Sequence, residues 1–310
     1  MSAQKEDHAH TALPSASEVV WMDGEYMPLS RAVVPITAHS LHYGTAVFEG
    51  IRFYGTDNGP AVFRLHDHVL RLHSSALTME MKVDRDIDEL MRVVCELIRR
   101  NNLADGYVRI IAYYGEGISL TRPDLQVHCA VFLLPWPNKE KEPVRLQVSE
   151  IRKPDPRTII HTAKVAGHYV NSYMAAMSFN KQSFGGALML DCDGWVAETP
   201  VANIFGVSGD VVFTPKIGSI LPGITRESIL GLAYYMGIPT QMGDFSLQDM
   251  KKASEVFITG TAAEVTPVSG IDAEVIGDGT MGPLTRKLSN VFDECARGKN
   301  AELAHWLTYV

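Results

Sequence analysis

Apolar and polar positions along this chain follow two periods, and the switch between them marks the elements. In the first half, short runs rich in β-branched and aromatic residues predict strands at Val19–Met22, Ala46–Tyr54, Ala61–Leu65, Tyr107–Tyr114 and Val127–Leu134. Val69, Leu72, Ala76 and Leu77 recur at helical spacing in LHDHVLRLHSSALTM, and Leu90, Val94, Leu97 and Ile98 do the same in IDELMRVVCELIRRNN. Strands and helices that come in runs point to the α+β class, with a largely antiparallel sheet.

The segment PWPNKEKEPVR carries prolines and charges without an apolar period, as a linker does. Beyond it the pattern predicts strands at Arg145–Ser149, Ala187–Asp191, Trp195–Glu198, Asn203–Val207, Val211–Thr214 and Glu255–Thr259. Helices are predicted at Tyr169–Asn180, Thr225–Met236 and Pro283–Ala296. Many strands with few helices suggest a sheet folding toward a barrel. The expected organisation is a loose tail over 1–17, a small domain over 18–136, a linker over 137–144 and a larger domain over 145–310.

Composition narrows this picture. A chain of 310 residues, 46% hydrophobic and 21% charged, has the size and apolar content for two ordinary domains. Net charge is -8, and lysines and arginines do not cluster, so no nucleic-acid partner is expected. No apolar run approaches the roughly 20 residues of a membrane helix, so no membrane is expected either. The opening MSAQKEDHAHTALPSAS lacks the apolar stretch of a signal peptide and the arginines of a transit peptide. Cys95, Cys129, Cys192 and Cys295 are scattered without C-x-x-C or zinc spacing, which predicts no metal and a reducing cytoplasm.

Two segments read as anion sites. In FTPKIGSILPGITRESIL a strand leads through Leu221-Pro222-Gly223 into a helix predicted to open at Thr225, and in EVFITGTAAEVTP the run Thr261-Ala262-Ala263-Glu264 has the capping-box pattern. A helix start offers unpaired N–H groups and the positive end of a dipole, which suits a phosphate, although such junctions commonly only cap. Lys164, among Ala163, Val165, Ala166 and Gly167, is a candidate for burial, which would lower its pKa and give a reactive amine. A solvated lysine with small neighbours fits the same letters. Glu198 at a strand end and Arg64 at a strand-to-helix junction are, by themselves, ordinary surface charges.

Taken in order, HSLHYGTAVFEGIRFY, VFRLHDHVLRL, YVR, AKVAGHYVNS, LPGITRESI and TGTAAEVTPV resemble the pyridoxal-phosphate enzymes of fold type IV. Within them the chain is most similar to the branched-chain amino acid aminotransferases, from about Trp21 to the C-terminus. The resemblance implies a small α/β domain, a larger pseudo-barrel domain, and a site between them. It implies a homodimer at least, with a hexamer as a trimer of dimers in some members. Lys164 matches the Schiff-base lysine that binds pyridoxal 5'-phosphate, Glu198 the carboxylate facing the pyridine nitrogen, and Tyr169 the phenol near the cofactor 3'-oxygen. Arg64, Ile224, Thr225 and Thr261 match the phosphate cup. Tyr107, with Thr261 and Ala262, matches the group that holds a substrate α-carboxylate. Tyr43, Phe48 and Gly50 match the aliphatic pocket, and Arg109 with Tyr43 matches the contacts to the distal carboxylate of glutamate.

The implied reaction is transamination of leucine, isoleucine and valine with 2-oxoglutarate. Three segments depart from the usual pattern: VAGHY around His168, TPVAN after Glu198, and a shortened loop GEGISLTRPD after Tyr114. The third leaves side-chain preference open, and ETPVANIF leans toward aminodeoxychorismate lyase. D-amino acid and (R)-amine transamination are further alternatives on the same scaffold.

Overall fold

The computed structural model describes residues 17–121, 124–136 and 140–310, so residues 1–16 of the expected tail and 137–139 of the expected linker lie outside the described residues. Ser17 is no part of a loose tail: its N–H donates to the Leu133 carbonyl at 2.8 Å. The first half runs β1 (Val19–Met22), β2 (Glu25–Pro28), α1 (His39–Tyr43), β3 (Ala46–Thr56), β4 (Gly59–Phe63), α2 (Leu65–Thr78), α3 (Ile87–Asn101), β5 (Gly106–Tyr114) and β6 (Val127–Pro135). The second half runs β7 (Val144–Val148), α4 (Tyr169–Ser178), β8 (Gly186–Leu190), β9 (Val196–Glu198), β10 (Asn203–Ser208) and β11 (Val211–Pro215). It continues with α5 (Ile224–Tyr235), β12 (Thr240–Gly243), α6 (Leu247–Lys252), β13 (Glu255–Gly260), β14 (Glu264–Ile271), β15 (Glu274–Val275), α7 (Pro283–Ala296) and β16 (Leu307–Tyr309).

The first sheet has seven strands in the order β16-β4-β3-β5-β6-β1-β2, all antiparallel. Strand alternation gives it two different faces. Val47, Ile51 and Phe53 of β3, with Val108 and Ile110 of β5, pack against Leu72 of α2 and Leu97 of α3. Burying each such large side chain contributes about 1.5–3 kcal/mol. Phe48, Gly50, Arg52 and Tyr54 alternate onto the opposite face, and their register partners on β5 include Arg109 and Tyr107.

The second sheet has nine strands in the order β12-β11-β10-β13-β14-β7-β8-β9, with β15 alongside β14. Its β9 pairs back onto β10 through Glu198 and Asn203, so the ring β10-β13-β14-β7-β8-β9 closes into a barrel. The fold combines an antiparallel sheet carrying helices with a pseudo-barrel, as the resemblance implies. One apolar cluster joins the two sheets: Tyr54, Ala61, Phe63 and Leu307 of the first pack with Phe205, Phe257, Ile229, Leu288 and Phe292 of the second half. Among the described residues no helix is long and apolar enough to cross a membrane, and no group of three or more His, Cys, Asp or Glu could hold a metal ion.

Three local readings differ from the structure. Val144 already belongs to β7, so the linker is shorter than 137–144. α5 opens at Ile224 with Gly223 as its N-cap, so Thr225 is inside the helix rather than capping it. Thr261-Ala262-Ala263 starts no helix; it is a hairpin turn between β13 and β14, closed by the pair Gly260–Glu264. Pro267 obscured β14 in the sequence, because proline argues against a paired strand; here it pairs with Phe257.

The start of α7 shows how sequence sets a helix end. Pro283 occupies the first turn, and the Glu255 carboxylate accepts the N–H groups of Leu284 at 3.0 Å and Thr285 at 2.7 Å. A Cβ at Gly282 would lie 2.2 Å from the Glu255 carboxyl carbon, so only glycine lets that carboxylate approach. Replacing Glu255 by alanine is expected to cost about 1–2 kcal/mol in urea unfolding, the upper range for a lost helix cap. An unchanged unfolding midpoint would contradict this role.

Candidate active site

Lys164 lies where the two sheets meet. Its backbone N–H donates to Ser75 Oγ of α2 at 2.9 Å, and its carbonyl accepts the N–H of Phe48 on β3 at 3.2 Å. These contacts pin the main chain, and the side chain crosses the seam to Tyr169, with Nζ 2.5 Å from the phenol oxygen. The amine also lies 4.9 Å above the Phe48 ring. Burial is the main cause that lowers its pKa to about 7, with Arg71 and Arg109 adding to the shift and Glu49 and Glu198 opposing it. Near neutral pH a large fraction of this amine is therefore unprotonated. Burial, then the Glu198 charge, pushes the Tyr169 phenol up, so it stays a hydrogen-bonding phenol.

Glu198 ends β9 inside the barrel seam, 5% exposed. One carboxylate oxygen pairs with Lys153 Nζ at 2.7 Å, and the other accepts from Asn203 Nδ2 at 2.9 Å. The Leu221 N–H adds longer contacts of 3.3 and 3.4 Å. Burial raises the pKa of this carboxyl, and the Lys153 ammonium is the chief opposing influence.

The phosphate-side expectation changes at one residue. Arg64 is turned away: Nε pairs with Asp67 at 2.5 Å, Nη2 with Glu227 at 3.1 Å, and its guanidinium lies over the Trp306 ring. Its backbone is left-handed, with φ 52° at the N-cap of α2, and its Nη1 donates to Ser228 Oγ at 3.2 Å. Arg71, two turns along α2, is instead the arginine of this helix that reaches the segment before α5. Its Nη1 donates to the Pro222 carbonyl at 2.9 Å, immediately before α5, and its charge acts on both Lys164 and Tyr169. Arg71 is held by the fully buried Glu49, through Nε at 2.6 Å and Nη2 at 2.9 Å, with His68 Nδ1 2.7 Å from the same carboxylate. Burial alone would raise the Glu49 pKa, but Arg71 and His68 hold it well below the carboxylate range. The first turn of α5, with Ile224 and Thr225 buried, has no side-chain cap, so its N–H groups face the junction without one.

Tyr107 and Arg109 sit on β5 opposite Arg52 and Gly50. A Cβ on Gly50 would fall 1.6 Å from the Tyr107 oxygen, so glycine is what lets this phenol lie across β3. The Arg109 guanidinium lies 4.7 Å from the Phe48 ring centre and 5.3 Å from that of Tyr107. Phe48, Gly50, Tyr107, Arg109, Lys164 and Tyr169 therefore form one continuous surface. Tyr43 is separate from them: it is 40% exposed and its hydroxyl donates to the Ile118 carbonyl at 2.6 Å. Thr261 and Ala262 form the hairpin turn beyond β13, and Gly260 packs against Val201 and Ala202, close to Glu198.

Sequence reasoning missed Arg71, Glu49, Lys153 and Asn203. Glu49 had a legible signal: a single carboxylate inside the apolar strand VFEGI has to find a cation when buried. Lys153 had none, because its partner is 45 positions away.

Residues 46–271 match the family described as Amino-transferase class IV. The branched-chain-amino-acid aminotransferase of Escherichia coli (strain K12) is 34% identical over 302 residues, covering 95% of this chain and 98% of that protein. Its counterpart in Pseudomonas aeruginosa is 36% identical over 298 residues, covering 94% and 97%. A T.th. branched-chain amino acid aminotransferase, solved with pyridoxamine 5'-phosphate and with N-(5'-phosphopyridoxyl)-L-glutamate, superimposes with TM-score 0.92 at 37% identity. The match covers 94% of this chain and 98% of that one.

Two titrations test the site's electrostatics. In the apoprotein, reductive alkylation of Lys164 is expected to rise with pH through about 7, because deprotonation creates the nucleophile, while surface lysines rise near their ordinary 10.5. A Lys164 that titrates with the surface lysines would contradict the burial. Lys153→Met should destabilise the fold by about 3–5 kcal/mol at pH 8, where Glu198 is left charged and alone. Since burial raises the Glu198 pKa in the fold, protonation relieves the penalty, and melting at pH 5 should show a smaller loss. An equal loss at both pH values would argue against an ionised Glu198.

Proposed function

The chain belongs to the class IV aminotransferases, and from that premise we propose that it transfers the amino group of leucine, isoleucine or valine to 2-oxoglutarate, giving branched 2-oxo acids and L-glutamate. The observation that carries this reading is the buried Lys164 amine, held near neutrality against Tyr169 with Glu198 anchored across the seam.

The cofactor is pyridoxal 5'-phosphate, and the residues present fit it. A seam that contains a lysine with a lowered pKa, a buried carboxylate and a helix start beside Arg71 offers one group for each end of such a molecule. When bound, it supplies an aldehyde that condenses with amines and a ring that accepts the electron pair left at a substrate Cα. Arg71 and the N–H groups of Ile224 and Thr225, with Thr261, hold the phosphate; Arg64 is replaced in this proposal by Arg71. Glu198 holds a proton at the ring nitrogen, and Lys153 keeps that carboxylate charged. Tyr169 donates toward the ring oxygen. Lys164, unprotonated, would take the proton from the substrate Cα and deliver it to the cofactor carbon that carried the aldehyde.

Tyr107 and the backbone of Thr261 and Ala262 hold the α-carboxylate. Phe48 and Gly50 receive the aliphatic side chain, and Arg109 meets the second carboxylate of glutamate. Its guanidinium lies over two aromatic rings, so in the absence of that carboxylate it can rest on apolar surface.

A homodimer belongs to the same proposal. Val170, Tyr173, Met174 and Met177 leave an apolar face of α4 exposed beside Tyr169, and Ile36 and Leu41 are exposed around Tyr43. Tyr43 would then serve the site of the partner subunit. A cytoplasmic location belongs to the proposal, supported by the free thiols of Cys95, Cys129, Cys192 and Cys295, as does a domain boundary between Pro135 at the end of β6 and Val144 at the start of β7.

Purified protein with leucine, isoleucine or valine and 2-oxoglutarate is expected to form glutamate, and borohydride reduction should leave the pyridoxyl label on Lys164. No glutamate above background would reject the substrate assignment, and a label elsewhere would reject the site. Arg71→Ala should weaken cofactor retention by at least roughly tenfold, about 1.4 kcal/mol, whereas Arg64→Ala should change it little. The reverse ranking would restore Arg64.

A further inference from the structure

We infer that Glu264 is a positioning residue for the substrate carboxylate, tying the Thr261-Ala262 turn to Tyr107 through Arg52 and Lys141. The inference rests on the preceding reading that this turn and Tyr107 hold the α-carboxylate.

Three-residue hairpin loops commonly finish on a residue in the left-handed region, where glycine is the comfortable choice. The turn 261–263 ends on Glu264 with φ 52°. A glutamate in that conformation persists only where its surroundings demand it. Its carboxylate has that demand from three directions. One oxygen accepts the Tyr54 hydroxyl at 2.9 Å and lies 3.2 Å from Arg52 Nη1; the other lies 3.0 Å from Lys141 Nζ. Tyr54 and Arg52 belong to β3 of the first sheet, and Lys141 to the connection between the sheets.

Arg52 is the far anchor. It is 2% exposed, and among the described residues its Nε and Nη1 have no hydrogen-bond partner; Nη1 meets Glu264 as an ion pair, which makes Glu264 its counter-charge. Its Nη2 donates to the Trp136 carbonyl at 3.3 Å, and the Trp136 ring lies 5.5 Å from that of Tyr107. Arg52 and Tyr107 are also direct register partners on β3 and β5. Lys141 adds a second hold on the turn by donating to the Ala262 carbonyl at 3.3 Å. The backbone groups at 261–262 and the phenol of Tyr107 approach from different sheets. Their separation is set by Glu264–Arg52, and binding through fixed dipoles depends on such spacing being set in advance.

The test uses holoenzyme and two leucine fragments, read by spectral titration. 4-Methylpentanoate keeps leucine's carbon skeleton and carboxylate without the amine, and 3-methylbutylamine keeps the side chain and amine without the carboxylate. Glu264→Gln should weaken the acid by about tenfold and leave the amine within about twofold. KM for leucine and glutamate should rise more than kcat falls. Glu264→Gly, which relaxes the backbone but drops the carboxylate, should show the same selectivity for the acid, so strain is not the cause. Lys141→Met, a change at a partly exposed position, should weaken the acid by about threefold with an unaltered melting temperature; it carries the comparison if the Glu264 variants do not fold.

Acid binding within twofold of wild type in the folded variants, or equal weakening of acid and amine, would overturn the inference while leaving the transaminase reading intact. A wild type that binds neither fragment would overturn both.

Discussion

The site depends on keeping one amine uncharged inside a seam crowded with charge. A buried ion needs a partner in contact, because the protein interior returns little of the hydration it removes. Around Lys164 the partners are assigned elsewhere: Glu49 to Arg71 and His68, Glu198 to Lys153 and Asn203, and Glu264 to Arg52 and Lys141. Each carboxylate near the seam already has a cation closer than Lys164, whose amine is left, among the described residues, with a phenol as its hydrogen-bond partner. The amine is therefore left to burial, and burial favours the neutral form.

The two sheets divide this task in a way that follows from strand alternation. On β3, Glu49 belongs to the helix-facing set with Val47, Ile51 and Phe53, and Arg52 to the barrel-facing set with Phe48, Gly50 and Tyr54. The strand thus holds the arginine of α2 from one side and the carboxylate of the β13–β14 turn from the other. Neither residue could be moved by one position without changing face.

Much of this architecture was readable beforehand. The helices at α2, α3 and α7 and strands such as β1 follow from apolar spacing to within a residue or two. Lys164 contacts Tyr169, the charge of Glu198 reaches both, and Phe48, Gly50, Tyr107 and Arg109 form a common surface with the lysine. What was not readable has physical reasons. β14 carries a proline, and its first residue has a left-handed backbone, so both local propensity and the capping pattern pointed away from a strand. Arg64 at the N-cap of α2 pairs with Asp67 and Glu227, Arg71 two turns on pairs with the buried Glu49, and the local letters do not distinguish the two. Lys153, the cation of Glu198, and Arg52 and Lys141, the cations of Glu264, come from distant stretches, and pairwise closeness of that kind leaves no mark on local sequence.

The barrel closes at a single pairing, Glu198 with Asn203. The residue proposed to meet the cofactor nitrogen thus also sits at the closing strand position, its side chain accepting a hydrogen bond from the side-chain amide of its own strand partner. A lineage retooling this scaffold for another reaction cannot treat position 198 as a free variable. A replacement there would keep the backbone pairing with Asn203 but would lose the side-chain bond to that amide and leave the Lys153 ammonium without its carboxylate.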